Sequence, residues 1–386
     1  MPVNSSEPMM RTGSRNLTMV ISASLDAVGI PSASHSSTSA ADRTALGIPS
    51  SRRIVCVLVD GLGALNLADR IGHAPTLRSF QQMDPMTSVV PSTTAAAITA
   101  AGTGELPGAT AMLSYQLRAP ESRRSFSLIA WNDETVSPRA WQSVPTLFES
   151  LDAPDRARVS VVQPADFIGS GLTEAALRGA PALAAESLED RVAASAHALR
   201  QGKDFVYLYW GDVDHAGHSH GWESERWTAE LERLDSALRQ LAHMVPRDTT
   251  IVLTADHGMV DVPVEHRIDI ARHQRLAADI ELTSGEERGL QLYLKPGVDP
   301  DVVASRYREE LGDRSWVFTQ AQAIDSGLFG DVSPFARSVL GDVLVFQRAD
   351  WALTDSRFHV SHSVMRGVHG SLTAREMLIP LLIEVV

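Results

Sequence analysis

An α/β fold around a mostly parallel sheet flanked by helices is predicted by two features of the chain. Short runs rich in apolar, β-branched and aromatic residues recur at 54–59, 125–130, 157–162, 204–210 and 250–254, and helical patterns separate them. Strands that alternate with helices need crossover connections, which lay helices over the faces of a parallel sheet. A strand buried on both faces reads as an unbroken apolar run, and Ile54-Val55-Cys56-Val57-Leu58-Val59 is one.

Taken in chain order, residues 1–16 are polar and read as a disordered tail. Arg11 and Arg15 then precede the apolar run 17–25, which has the outline of a weak secretion signal. Asp26 cuts that run short and too much polar sequence comes before it, so a cytoplasmic enzyme is the default expectation. Residues 31–51 are rich in Ser, Ala and Thr and read as a loop. Two helices stand out. Ser187-Leu188-Glu189-Asp190 has the form of a capped helix start. Trp227, Leu231, Leu234, Leu238 and Leu241 follow the 3.6-residue period of an amphipathic helix. Residues 262–345 differ in character. Leu290-Gln291-Leu292-Tyr293-Leu294 alternates like a half-exposed strand, a polar helix follows at 299–311, and another strand lies near Trp316-Val317-Phe318. We read 262–345 as a smaller α+β insertion capping a main domain formed by 17–261 and 346–386, with a last apolar strand at 378–386.

The composition narrows the class of partner. With 47 acidic and 34 Lys or Arg residues, the net charge is −13. An acidic surface is a poor match for a nucleic acid polymer or an anionic membrane. It is compatible with a small anionic substrate, because a metal ion reverses the local field. No apolar run approaches the roughly 18 residues of a membrane span. Cys56 is the single cysteine, so no internal disulfide forms.

Residue types that bind metals collect just after the predicted strands, where open α/β sheets build their sites. Asp60-Gly61 follows the first run, Asp212-Val213-Asp214-His215-Ala216-Gly217-His218 follows 204–210, and Asp256-His257-Gly258 follows 250–254. A further His369-Gly370 lies near the C-terminus. One Asp after a strand is ordinarily a turn or a helix cap; four such clusters point to a site. Pro91-Ser92-Thr93-Thr94-Ala95-Ala96-Ala97 adds a Thr-capped helix start. A helix N-terminus offers free N–H groups and a positive dipole end to an anion. A Thr hydroxyl there becomes a nucleophile when a metal lowers its pKa.

The ordered set Asp60, Thr94, Asp214, His218, Asp256, His257 and His369 resembles the alkaline phosphatase superfamily, and within it the nucleotide pyrophosphatase/phosphodiesterase branch. The similarity covers most of 50–262 and 365–386. In that branch the nucleophilic Thr is followed ten residues later by the Gly of a Thr-Gly pair, and Thr103-Gly104 stands at that distance from Thr94. The resemblance implies an alkaline phosphatase-like fold and two Zn2+ ions, with Mn2+ or Fe as possible occupants of one site. It assigns Asp214, His218 and His369 to one ion and Asp60, Asp256 and His257 to the other, with the Thr94 oxygen alongside. Carboxylate and imidazole suit zinc, and three protein ligands per ion leave room for substrate. Two metals roughly 4 Å apart suit an in-line displacement at phosphorus. The implied reaction is hydrolysis of a phosphodiester or nucleotide pyrophosphate through a phospho-threonine intermediate, the substrate being a small phosphoester such as a nucleotide.

Two departures from the family pattern bear on the substrate. The Asn expected three residues after the nucleophile is Ala97, and the Gly-x-His-Gly turn after the Thr-Gly pair is replaced by Gly108-Ala109-Thr110-Ala111. Asn132, His215, His362 and Arg366 are candidates by type to replace the lost donor, and Tyr115, Trp131 and Trp141 are candidate walls of the substrate site. The alternatives are a phosphomonoesterase or phosphonate hydrolase with the same site, and a non-enzymatic descendant that binds a metal or nucleotide. A sulfatase does not fit, since Cys56 is followed by Val57-Leu58 and not by the Pro and Arg of that motif. A purely structural zinc site is disfavoured by the single cysteine.

Overall fold

The computed structural model describes residues 8–34, 36–358 and 365–386. Its centre is a seven-stranded sheet. In chain order the strands are β1 (Arg53–Val59), β2 (Gln81–Gln82), β3 (Val159–Gln163), β4 (Ala182–Ala184), β5 (Phe205–Trp210) and β6 (Thr249–Ala255). Residues 280–347 supply a separate sheet of β7 (Ile280–Glu286), β8 (Gly289–Leu294), β9 (Ser315–Thr319) and β10 (Val343–Gln347), and β11 (Leu381–Val385) returns to the first sheet.

The spatial order of the main sheet is β2-β11-β6-β1-β5-β3-β4. β1 lies between β5 and β6 and is parallel to both. β3 continues the parallel set beside β5, with β4 beyond it. β11 runs antiparallel to β6, and β2 antiparallel to β11. The three central strands are β1, β5 and β6, and in them only Arg53 and Tyr209 are not fully buried. Their unbroken apolar character therefore reflects a sheet covered on both sides.

The helices that pack on this sheet form for local reasons visible in the residues. α1 (Thr94–Thr103) is Ala-rich and entirely buried. α2 (Leu188–Arg200) starts at Ser187, whose side chain accepts the Asp190 N–H. α3 (Asp212–His220) follows β5 directly. α4 (Glu225–Met244) is capped by Ser224, which accepts the Trp227 N–H. Trp227, Leu231, Leu234, Leu238 and Leu241 are all buried in the main core, and each Leu contributes about 1.5–3 kcal/mol on burial.

This second sheet is antiparallel, in the order β7-β8-β10-β9. One face is covered by α5 (Pro300–Leu311). The reading of β8 as half-exposed fails, since every residue from Gly289 to Leu294 is buried. The polar members of the alternation are covered and hydrogen-bonded, not solvated. Gln291 donates to the Leu113 carbonyl, and the Tyr293 hydroxyl accepts the Arg118 N–H and donates to the Val339 carbonyl. The boundary at 345/346 falls inside β10, and Ala352–Thr354 still pairs with Arg267–Asp269.

Other expectations are also corrected. Residues 125–130 do not join the main sheet; Ser125–Ser127 pairs with Gln116–Arg118 as a two-stranded hairpin. Of the disordered tail expected at 1–16, residues 1–7 lie outside the described residues and 8–16 are tied to the body, with the Met10 N–H on the Leu372 carbonyl and the Gly13 N–H on Thr87. Most of the 17–25 run lies in a largely buried helix, Met19–Ala27. The loop expected at 31–51 contains the helix Ser39–Leu46. Among the described residues no helix is long and apolar enough to cross a membrane.

Candidate metal centre

The chain geometry brings the seven candidate residues to one end of the sheet. β1 runs into Asp60, β6 into Asp256 and His257, and β5 into α3, which carries Asp214 and His218. Asp60 N–H still donates to the Trp210 carbonyl, so the ladder holds its backbone. Gly61 has φ +72°, and a Cβ there would lie 2.9 Å from the Asp214 side chain. Glycine is therefore what lets the two aspartates converge. Thr93 takes the cap position before α1 without a side-chain cap bond, and Thr94 is the first helical residue.

Each histidine is oriented by its own backbone contact. Nδ1–H of His218 donates to the Gly367 carbonyl at 2.8 Å, that of His257 to Gly258 at 3.1 Å and that of His369 to Ser92 at 3.1 Å. These bonds fix one tautomer and leave Nε2 as the ligand atom, the usual outer support of a metal-binding imidazole. Nε2 of His218 lies 3.1 Å from Asp214 Oδ2, and Nε2 of His369 lies 3.9 Å from Asp214 Oδ1. Nε2 of His257 is 3.4 Å from Asp60 Oδ1, 3.4 Å from Asp256 Oδ2 and 3.2 Å from Thr94 Oγ1. The rings of His257 and His369 stack with centroids 3.6 Å apart.

The carboxylates are prepared in the same way, with one oxygen held and one left free. Asp60 Oδ2 accepts the Tyr209 hydroxyl at 2.5 Å. Asp256 Oδ1 accepts the N–H groups of Gly61 and His257. Asp60 Oδ1, Asp214 Oδ1 and Asp256 Oδ2 are buried with no partner. Three buried carboxylate oxygens without donors are costly in a protein interior, and cations bound at this point would satisfy them. The donor set thus fits a metal. Ligand atoms of Asp214, His218 and His369 lie within 4.8 Å of one another, as do those of Asp60, Asp214 and His257. Asp214 belongs to both groups, and Asp256 adjoins the second through His257.

Electrostatics point the same way. Burial, with Asp256 and Asp214 nearby, pushes the Asp60 carboxyl well above its ordinary range. Burial also raises Asp256. For Asp214 burial works upward, but the charge and hydrogen bond of His218 outweigh it and the pKa falls. Burial works against His218, yet Asp214 holds its imidazole up at about 9. Burial, reinforced by His257, takes His369 well below its normal value.

Nothing in the residue pattern marks Glu286, at the end of β7. Its Oε2 lies 3.4 Å from His369 Nδ1, and its Oε1 is buried without a partner. Burial raises its carboxyl to about 8. Gly370 makes room for it: φ there is +112°, and a Cβ would sit 2.6 Å from Glu286 Cδ. Tyr209 was likewise hidden, inside a run that reads only as a strand. Ala97 is buried in α1 and offers no donor. Of the proposed replacements only His215 lines the cavity beside the site. Asn132 is exposed and accepts the Ser127 N–H, Arg366 is exposed and outside that lining, and His362 lies outside the described residues.

That cavity has a volume of about 680 Å3 and opens from Asp60, Thr94, Asp214 and His369. Of the three aromatic candidates Tyr115 lines it. Trp131 instead packs over Gly171 with Nε1–H on the Val136 carbonyl. Trp141 is buried against Phe126 and donates to the Ala111 carbonyl.

The family model for type I phosphodiesterase/nucleotide pyrophosphatase matches residues 54–372. The chain belongs to that family. This type I phosphodiesterase family chain is accordingly a phosphoester hydrolase of the alkaline phosphatase superfamily. Its fold is similar to murine ectonucleotide pyrophosphatase/phosphodiesterase 5, with a TM-score of 0.67, 16% identity, and 86% of this chain and 87% of that one covered. The human form of that protein gives a TM-score of 0.67 at 18% identity, with the same 86% and 87% coverage. Phosphonoacetate hydrolase from Sinorhizobium meliloti 1021, in complex with phosphonoacetate, gives 0.68 at 18% identity over 92% and 93% of the two chains. No curated protein matches the phosphodiesterase family chain in sequence.

Proposed function

We propose that the chain hydrolyses a phosphodiester or nucleotide pyrophosphate at a two-zinc site, with Thr94 as nucleophile. The observation that carries this reading is the convergence of three unpartnered carboxylate oxygens and three Nε2-presenting histidines around the Thr94 hydroxyl. Asp214, His218 and His369 would hold one ion, and Asp60, Asp256 and His257 the other. When bound, the metals supply Lewis-acid stabilisation of developing charge and lower the pKa of the attacking hydroxyl.

The residues divide the remaining work. Thr94 sits at the first position of α1, where the early N–H groups have no intrahelical partner and the dipole end is positive. An anionic phosphoryl group is favoured at that end. Thr94 Oγ forms its bond to phosphorus as the bond to the ester oxygen breaks, and water then cleaves the phospho-threonine and regenerates the hydroxyl. Tyr209 holds Asp60 in place. The apolar residues of the cavity exclude bulk water, which strengthens the electrostatic terms at the reacting centre.

A solved relative supports a nucleotide-like substrate only as an analogy: an inactive variant of the murine protein was obtained in complex with AMP. A phosphonate hydrolase shares the fold, so fold alone does not choose between the two chemistries. The cavity wall favours the diester, because its described lining residues include no Lys or Arg to meet the second anionic group of a phosphonocarboxylate.

The test is Thr94→Ala on the zinc-loaded enzyme with bis-p-nitrophenyl phosphate. Turnover is expected to vanish while zinc content stays at the wild-type level. Full activity in that variant removes Thr94 as the nucleophile.

A further inference from the structure

Three charged residues follow one another at the end of β7 and in the turn that leads to β8: Glu286, Glu287 and Arg288. Two of them meet a side chain of opposite charge. Glu287 pairs with Arg267, and Arg288 pairs with Glu376. Glu286 does not share in this exchange. Its side chain is 13% exposed, its Oε1 is buried without a hydrogen bond, and its Oε2 lies 3.4 Å from Nδ1 of His369.

The backbone is shaped to bring this carboxylate to the histidine. Gly370 has φ +112°, and a Cβ on it would lie 2.6 Å from Glu286 Cδ. A Cβ on Gly289 would lie 2.5 Å from the Gly370 carbonyl oxygen. Glycine at both positions lets the turn press against the segment that carries His369. The Arg288–Glu376 pair holds the same contact, and Glu376 also accepts the Ser371 N–H. Lifting the turn away breaks a buried charge pair, which is costly.

Glu286 stands on the outer side of the His369 ring. Nδ1–H already donates to the Ser92 carbonyl at 3.1 Å, which fixes the ring and its tautomer. Nε2, on the opposite side, lies 3.9 Å from Asp214 Oδ1. Glu286 belongs to neither group of convergent ligand atoms. It places a negative charge behind a ligand and not among the ligands. A carboxylate beside Nδ1–H makes an imidazole a stronger donor at Nε2. A nearly buried carboxylate with no Lys or Arg beside it also costs stability, and a cation nearby offsets that cost.

We propose that Glu286 is a positioning residue of the metal centre: its carboxylate, set behind His369 by the second sheet, strengthens the hold on the ion bound by Asp214, His218 and His369. The assignment rests on the two-zinc reading above. It has a definite sign, since the same charge tightens metal binding and weakens the metal-free fold.

The experiment measures zinc affinity by competition with graded chelator, and metal-free stability by urea denaturation, for wild type, Glu286→Gln and Glu286→Asp. It is run at pH 9, above the value of about 8 for the Glu286 carboxyl, so that the group is charged. Glu286→Gln keeps the shape and removes the charge. One of its two zinc ions should be held about 10–100-fold more weakly and the other within about threefold of wild type, as when an outer partner of a single ligand is lost. Its metal-free form should be at least as stable as wild type, because a buried charge has gone. Glu286→Asp keeps the charge and should hold that ion more tightly than Glu286→Gln does. Equal weakening of both ions, a metal-free Gln variant less stable than wild type, or an Asp variant no better than the Gln variant overturns the assignment, because Glu286 would then be a brace of the fold. If wild type takes up two zinc ions and both variants match it, the two-zinc reading stands and this assignment falls. If wild type takes up fewer than two, the two-zinc reading fails and the assignment with it.

Discussion

Arg288 and Glu376 form a contact whose removal can be costed from the structure. Both side chains are fully buried. Arg288 Nε and Nη2 donate to the two carboxylate oxygens at 3.0 and 2.7 Å, and Nη1 donates to the Trp351 carbonyl at 2.6 Å. Glu376 also accepts the Ser371 N–H at 3.0 Å and the Thr373 hydroxyl at 2.5 Å. The pair therefore clamps the turn between β7 and β8 to the segment that follows His369. Arg288→Met leaves the carboxylate buried with two neutral donors and no cation. Breaking a buried pair in this way costs about 3–5 kcal/mol, a large share of the roughly 5–15 kcal/mol that stabilises a folded protein. Arg288→Met/Glu376→Gln should recover more than half of that loss, because the amide is neutral and its oxygen still accepts from Ser371. Urea denaturation in the presence of a chelator measures both. A single variant within about 1 kcal/mol of wild type, or a double variant no better than the single, refutes the reasoning, since buried charge imbalance would then not be the source of the cost.

Two further outcomes follow from the centre itself. Tyr209→Phe releases Asp60 Oδ2 from the hydroxyl that holds it, and zinc affinity should fall by about 10–100-fold, the usual effect of losing an outer-sphere partner; competition with a chromophoric chelator reads it, and unchanged affinity contradicts the role given to Tyr209. His218, held up at about 9 by Asp214, is protonated at pH 7.5 in the metal-free protein. Zinc requires the neutral ring, so binding there should release about one proton from this residue and tighten as pH rises toward 9. Calorimetry in two buffers of different ionisation enthalpy measures the release, and no buffer dependence contradicts it. The sign for stability is opposite: in the metal-free protein the raised pKa stabilises the fold fully below about pH 6.5, and that contribution fades as pH climbs through about 9.

The sheet was readable because burial on both faces leaves a local signature. The runs at 54–59, 204–210 and 250–254 match β1, β5 and β6 to within one residue at each end. The acidic and histidine clusters were readable for a related reason: they stand where those strands end, and parallel topology gathers such ends. The hairpin at 125–127 misled because a short apolar run says nothing about its partner, and here the partner is nine residues upstream at Gln116–Arg118. Glu286 was unreadable because its neighbours in sequence are surface-like; only the return of β8 against Leu113 and the clamp at Glu376 carry it to His369.

α1 is built from Ala, Thr, Gly and one Ile, and every one of its residues is buried. It has no room to grow. A Cβ at Gly102 would come within 1.8 Å of the Ala176 carbonyl oxygen. Nor can it slide, since its last turn is locked by the Gly104 N–H on Ala100 and the Leu147 N–H on the Gly102 carbonyl. The Thr94 hydroxyl at its head, the nucleophile we propose, is thus held by a helix packed on every side. Such a rod leaves little freedom at its head: under the proposed reaction, a change of substrate has to be written into the cavity walls carried by other segments, because a larger side chain in the rod itself has nowhere to go.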